Sequence, residues 1–397
     1  MMLNESRRSR AHFDLPLVLL VFGLAAFGVL CVSVATFSTS SEAEDTLLNY
    51  IVSSYYGMRQ ALFLLVSPLV VGFVTYLPLD FFRRRTILFY YLACGLLLVA
   101  LGGSATGVKA WIDILWDYTL QPSEFVKLAC ILVTARYLET NDDPLGSVRS
   151  WLRLGLLMGI PWTLTMLQKE MGSVLVMIFC FGVMMYFGGI RMRVLFGTLG
   201  VAIVLIALLL GILMASGTDN YRIERILSFI NPAQVDSDAT YQVTNSKIAI
   251  GSGGWSGKGL FVQGSFSQLN YVPEDWTDFI FSTIGEAFGF VGCASVILVY
   301  LLIILRMLYL ARYTLDRFGQ MVIIGVMAML LFHVLENVAM TTGLMPITGI
   351  PLPFLSYGGS NLLTNMAGIG LVLNVVKNRS AIYRPAPQMR SYTKWAR

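Results

Sequence analysis

Apolar residues along this chain run in long unbroken blocks, not in the alternation of a half-buried strand or the one-sided stripe of a soluble helix. Most blocks are roughly 17–25 residues, the length of a helix that crosses a hydrocarbon core. Ten can be marked, at 16–37, 60–79, 87–103, 121–138, 154–168, 172–190, 194–215, 277–305, 319–341 and 358–376. The eighth is long enough to begin as an amphipathic turn outside the membrane. The fifth is short, as for a tilted or broken helix. The pattern predicts an all-α integral membrane protein of about ten transmembrane helices.

The polar stretches between blocks give an orientation. Most of the 28 Lys and Arg residues fall on the side of the N-terminus: Arg7, Arg8 and Arg10, the run Arg83 to Arg85, Arg306, Arg312, Arg317 and the tail after 376. By the positive-inside rule that side is cytoplasmic, and an even number of spans returns the C-terminus to it. The first block is longer than a signal-peptide core and no small-residue cleavage site follows, so it reads as a first transmembrane helix. One connection stands apart. Residues 216–276 form a large extracytoplasmic loop whose aromatics, Gly turns and apolar stretches argue for order. The expected organisation is one polytopic domain over 1–397, with that loop at 216–276 and a basic cytoplasmic tail at 377–397.

Composition agrees. Of 397 residues, 56% are hydrophobic and 13% charged, against about 25% charged in soluble domains. Mean hydropathy is +0.70. The net charge of +5 is scattered between apolar blocks with no basic arm, which argues against a nucleic-acid partner. All five cysteines lie inside apolar blocks, so they read as buried thiols rather than a disulfide framework. Two histidines and no Cys/His cluster argue against a zinc site.

Ionisable groups within spans are costly and therefore candidates for function. Glu124 and Lys127 stand three apart behind Gln121-Pro122-Ser123, on one helical face. They read equally as a packing ion pair and as functional groups. Lys169 and Glu170 lie in the turn between the fifth and sixth blocks, as surface charges or as a turn re-entering toward a cavity. The run Gly251 to Gly259 lacks the spacing of a Walker loop, because Ser252 and Gly259 stand where Gly and Ser/Thr are needed. It reads as a flexible turn, or as Gly-rich backbone holding a lipid phosphate with Lys258. Glu274, Asp275 and Asp278 close the long loop. The first two read as solvated charges. Asp278 is followed at once by Phe279-Ile280-Phe281, so it sits at the mouth of the membrane. A carboxylate there is partly desolvated and a stronger base, or a helix N-terminal acid complementing the dipole. Glu286, His333 and Glu336 read as a packing network inside the bundle. The turn Gly349 to Ser360, with Pro351 and Pro353, reads as a rigid re-entrant wall in which Ser356 can donate hydrogen bonds.

At these residues the chain resembles the SEDS family of bacterial shape, elongation, division and sporulation proteins. Four blocks carry the resemblance, in family order over nearly the whole chain. They are Gln121 to Lys127, Ile248 to Gly259, Pro273 to Phe281 and Gly349 to Ser360. Gln242, Asn245 and Ser246 also fit. The pieces Gly257 to Leu260, Gln268 to Glu274 and Ile284 to Glu286 look most like the rod-shape (RodA) branch rather than the division branch. The resemblance implies a peptidoglycan glycosyltransferase that polymerises lipid II, an undecaprenyl-pyrophosphate-linked disaccharide peptide, into β-1,4 strands during elongation. It implies Asp278 as the essential acid, Glu124 and Lys127 in the cavity, and a class B penicillin-binding protein as partner. Where the family has Pro-Asp this chain has Lys169-Glu170, keeping a carboxylate with longer reach. Where the family has Arg-Trp it has Lys109-Ala110-Trp111. Inversion requires one carboxylate as general base, assigned to Asp278. The leaving pyrophosphate requires positive charge, for which Lys127, Lys258, Arg222, Arg225 or a divalent cation, Mg2+ or Mn2+, are candidates. The alternatives are a flippase of the same lipid, or a scaffold for the partner enzyme.

Overall fold

The computed structural model describes residues 13–37, 47–103, 110–115, 118–141, 146–190, 197 and 238–379. Helices dominate: α1 (Leu15–Ala35), α2 (Leu47–Ser53), α3 (Tyr55–Tyr76), α4 (Leu79–Gly102), α5 (Pro122–Thr140), α6 (Val148–Leu167), α7 (Met171–Phe187), α8 (Asp238–Ser252), α9 (Ile280–Arg312), α10 (Arg317–Thr341) and α11 (Gly359–Arg379). Short side-chain caps start several of them. Asp14 accepts from Leu17 N, Ser54 from Gly57 N and Asp316 from Gly319 N.

Nine of the ten expected blocks coincide with helices; the seventh, 194–215, lies outside the described residues apart from position 197. Among the described residues six helices are long and apolar enough by themselves to cross a membrane: α1, α3, α4, α9, α10 and α11. The chain is a multi-pass membrane protein. The all-α class holds, and two finer expectations change. The fifth block is not short, because Ser147 caps a helix of 20 residues that starts well before the apolar run. α4 starts at Leu79, so Arg83, Arg84 and Arg85 lie on a helix and not in a loop. Beside the helices a short two-stranded antiparallel ribbon, β1 (Ile112–Leu115) and β2 (Tyr118–Leu120), bridges α4 and α5.

α10 and α11 form the centre, with 78% and 83% of their most apolar windows buried, against 22% for α3 and 28% for α9. The outer helices expose Leu65, Leu69, Phe73, Leu298 and Leu301, as lipid-facing helices do. All five cysteines are buried and unpaired.

The two ends of the bundle differ. At one end Arg83 on α4 bridges Asp80, Glu139 on α5 and Asp316 before α10, while Arg306 on α9 grips Asp14 in front of α1. At the other end the starts of α5, α7 and α11 meet the segment Gly343–Gly358 and the turns before α9. The cavity opens there.

Candidate active site

The cavity holds about 810 Å³ and is lined by Trp111 just before the β-ribbon, Tyr118 and Thr119 on it, the α6–α7 turn (Gln168, Lys169, Glu170), the turn before α9 (Glu274, Thr277, Asp278) and the segment from Thr348 to Asn361. Glu170 and Asp278, expected from sequence at such a site, both face it.

Asp278 lies two residues before α9 and is half-buried. Its main chain is pinned at three successive carbonyls. Tyr357 N donates to Trp276 O at 2.8 Å. Ser356 Oγ donates to Thr277 O at 2.5 Å. Asn337 Nδ2, on α10, donates to Asp278 O at 2.7 Å and to Ile350 O at 2.8 Å. Ser356 Oγ in turn accepts from Leu352 N, and the buried Tyr300 hydroxyl on α9 donates to Pro353 O. The proline-rich wall and the Asp278 turn are thus one laced unit, the kind of support that fixes a reacting carboxylate. Gly349 gives the carboxylate room. Its φ is +71°, and a Cβ there would stand 3.2 Å from Asp278 Oδ2. Ser356, expected at the cavity, is 1% exposed and does not line it; its hydroxyl is spent on Leu352 N within the wall and on Thr277 O of the turn before α9.

Gln121 joins three helix starts. Its backbone N–H donates to Ser360 Oγ at 3.2 Å, and its side-chain amide donates to Glu170 Oε1 at 2.7 Å. Ser360 Oγ donates to Thr119 O and holds the ribbon. The N-termini of α5, α7 and α11 therefore converge on the cavity wall, each with first-turn amides that have no intrahelical acceptor. Burial pushes the Glu170 carboxyl above its ordinary value, opposed by hydrogen bonds from Ser123 and Gln121.

Glu124 and Lys127 lie beneath this floor, each 2% exposed and 2.7 Å apart. Lys127 Nζ is also 3.0 Å from His333 Nε2, whose Nδ1 faces Met329 O. Asn361 donates to Glu124 Oε2 at 3.5 Å and itself lines the cavity, so the pair reaches the cavity through it. The expected network of Glu286, His333 and Glu336 separates into three places. His333 joins Lys127, Glu336 accepts from Thr348 at 2.9 Å, and Glu286 anchors the loop.

The Gly-rich run is neither a flexible turn nor a phosphate cradle. Gly289 breaks α9 with φ +65° and frees main-chain groups on both sides. The loop docks on them. Lys258 N and Gly259 N donate to Glu286 O and Ala287 O, while Phe290 N and Val291 N donate to Gly254 O and Trp255 O. The approach is so close that a Cβ on Gly253 or Gly257 would fall 1.9 or 2.2 Å from a carbonyl oxygen of α9. Lys258 Nζ pairs with Glu286 Oε1 at 2.7 Å and does not line the cavity. Asp275, expected as a solvated charge, is fully buried, and burial pushes its carboxyl well above the ordinary value. Arg222, Arg225 and Lys109 lie outside the described residues. Asn337 and Asn361 were not singled out from sequence. The available signal was an amide inside an apolar block, costly unless paired.

A family model described as cell cycle protein, FtsW/RodA/SpoVE, matches residues 15–381. The probable peptidoglycan glycosyltransferase FtsW of Trichlorobacter lovleyi is 33% identical over 92% of this chain and 93% of its own. The peptidoglycan glycosyltransferase MrdB of Escherichia coli is 34% identical over 74% of this chain and 78% of its own. A solved chain from work on structural coordination of polymerization and crosslinking by a peptidoglycan synthase complex superposes with a TM-score of 0.73 at 26% identity, over 92% of this chain and 98% of that one. Matched almost end to end, the chain belongs to the FtsW/RodA/SpoVE family.

Proposed function

We propose that this chain, a peptidoglycan glycosyltransferase by family, polymerises lipid II into β-1,4 glycan strands with inversion, and that Asp278 is the general base. The observation that carries this reading is Asp278 itself. It is a half-buried carboxylate on the cavity wall, held by three main-chain hydrogen bonds to the turn that bears it. An acceptor hydroxyl gives its proton to Asp278 as its oxygen attacks the anomeric carbon. The bond from that carbon to the polyprenyl diphosphate breaks on the opposite face. A cavity at one end of a lipid-facing bundle suits such a substrate, with its tail in the bilayer and its sugars outside.

The cavity end is then extracytoplasmic and both termini are cytoplasmic, as the basic residues require. The run Gln268 to Glu274 and the docked Gly257 to Leu260 favour the elongation branch. The likeness to a chain of a synthase complex concerned with polymerization and crosslinking supports a class B penicillin-binding protein as partner. Among the described residues no three His, Cys, Asp or Glu side chains converge. Glu170, Glu274 and Asp278 line the cavity. Hard oxygen donors of this kind would hold a divalent cation, Mg2+ or Mn2+, only together with oxygens of the substrate; when bound it would supply positive charge for the leaving group.

Purified protein given lipid II, with no other polymerase present, should make glycan strands. Lipid movement across vesicles without any glycan product would replace this reading with that of a flippase.

A further inference from the structure

α6 ends in a Schellman turn. Lys169 N donates to Met166 O at 3.1 Å and Glu170 N to Thr165 O at 3.3 Å. The residue at its left-handed position is ordinarily glycine, yet here it is lysine, with φ +68°. A side chain kept where it strains the backbone points to a use for that side chain.

The turn delivers the Lys169 side chain, exposed, to the cavity wall. Among the described lining residues it is the one cation. Lys127 is buried in its pair with Glu124, and Lys258 is paired with Glu286 away from the cavity. α7 starts two residues later, and Gln121 ties that start to those of α5 and α11. The starts of α7 and α11 and the lysine ammonium therefore line one cavity, a combination of positive helix ends and a cation that suits a multiply charged anion.

That place adjoins Asp278. A Cβ on Gly172 would stand 2.6 Å from Ile350 Cγ1 and 2.9 Å from Thr348 O, so the start of α7 is pressed against residues 348–350. Gly349, between them, is the residue beside Asp278 Oδ2. Cation and carboxylate thus sit on adjoining walls of one cavity.

We propose that Lys169 binds the diphosphate of the polyprenyl-linked substrate. The assignment rests on the glycosyltransferase reading above. As the anomeric carbon–oxygen bond breaks, its electron pair stays on the diphosphate oxygen. The ammonium and the helix-start amides stabilise that growing charge while Asp278 takes the acceptor's proton. This chain thereby supplies from the α6–α7 turn a cation for which the sequence offered Lys127, Lys258, Arg222 and Arg225 as candidates.

The test compares the parent with Lys169→Asn and Lys169→Arg. Asn tolerates the left-handed backbone, so the first variant removes the charge and keeps the turn. Farnesyl diphosphate serves as probe, with farnesol and inorganic pyrophosphate as controls, read both as inhibitors of lipid II polymerisation and by calorimetric titration. Lys169→Asn should raise KM for lipid II and weaken farnesyl diphosphate binding by roughly tenfold, the scale of one charge-assisted hydrogen bond. Farnesol binding should not change, and Lys169→Arg should restore most of the loss. Inorganic pyrophosphate weakened to the same degree would show that the headgroup alone is read. Parental farnesyl diphosphate binding in Lys169→Asn overturns the proposal. So does a lowered melting temperature with binding intact, which would leave Lys169 only a charge at the end of α6. If the parent makes no glycan, the titration still reads the site, so failure of the enzyme reading and failure of this one are distinguishable.

Discussion

The side-chain amide of Asn337 holds the main-chain carbonyl of Asp278 at 2.7 Å and that of Ile350 at 2.8 Å. One residue of the central helix α10 thus ties the Asp278 turn to the wall segment that carries Ile350. Replacing Asn337 with Ala leaves two carbonyls unpaired, at a cost of about 1–3 kcal/mol each where they are buried. We expect a slower polymerisation rate with little change in KM, because the amide touches protein and not substrate. A kinetic titration with lipid II reads both constants, and a raised KM at full rate would contradict this role.

Gly349 is the second control on the same carboxylate. Its φ of +71° strains any other residue, and a Cβ there crowds Asp278 Oδ2 at 3.2 Å. Gly349→Ala should cost about 1 kcal/mol of stability from the backbone alone and lower polymerisation beyond what that loss explains. Parallel melting and rate measurements separate the two effects; a destabilised variant with the parental rate would show that the carboxylate tolerates displacement.

The buried pair Glu124–Lys127 behaves differently from a surface ion pair. Removing one partner leaves a lone charge in the bundle, at a cost of about 3–5 kcal/mol. We expect Lys127→Met and Glu124→Gln to melt early when made singly, and the double variant to recover much of the loss. Thermal unfolding in detergent measures all three. If the double variant is no more stable than the singles, the two charges are not each other's main support.

These outcomes bear on what the sequence could say. The spans were legible because each block carries its own apolar length, and a helix satisfies its backbone without help from distant residues. Asp278 was legible as an acid where polar loop meets Phe279-Ile280-Phe281. Its support was not, because Asn337, Ser356 and Tyr357 are 59 to 79 residues away and act through main-chain carbonyls that have no sequence signature. The Gly-rich run invited a ligand, yet its glycines answer a break at Gly289 on another element. Lys169 read either as a surface charge or as part of a turn re-entering toward a cavity, because nothing local decides which way the turn faces.

That docking predicts a proteolytic phenotype. Gly257→Ala would drive a Cβ to 2.2 Å from Ala287 O at a φ of +81°. The loop should lift from α9, exposing bonds near Trp255 and Phe261 to limited chymotrypsin digestion. A cleavage pattern matching the parent would mean that the loop is held elsewhere.

Asp275 gives a pH dependence. Its carboxyl is fully buried, and its pKa is raised chiefly by that burial, against hydrogen bonds from Ser267 and Thr283. Below the ordinary carboxylate pKa both folded and unfolded chains hold the proton, and no cost arises. As pH climbs above that value the unfolded chain ionises while the folded one resists, so this group's contribution to stability falls with rising pH until its folded pKa is passed. Asp275→Asn should flatten that slope and equal or exceed the parent's melting temperature at neutral pH. A slope unchanged in the variant would assign it to another group.

The most direct measurement is the initial rate of lipid II polymerisation by purified Asp278→Asn beside the parent. The substitution keeps the shape of the side chain and leaves the main-chain carbonyls that hold the turn in place, while removing the negative charge and with it the capacity to take a proton. We expect a loss of at least about 10²-fold, the scale of a positioned general base, with melting temperature and lipid II binding preserved. Glycan synthesis at the parental rate would contradict the account.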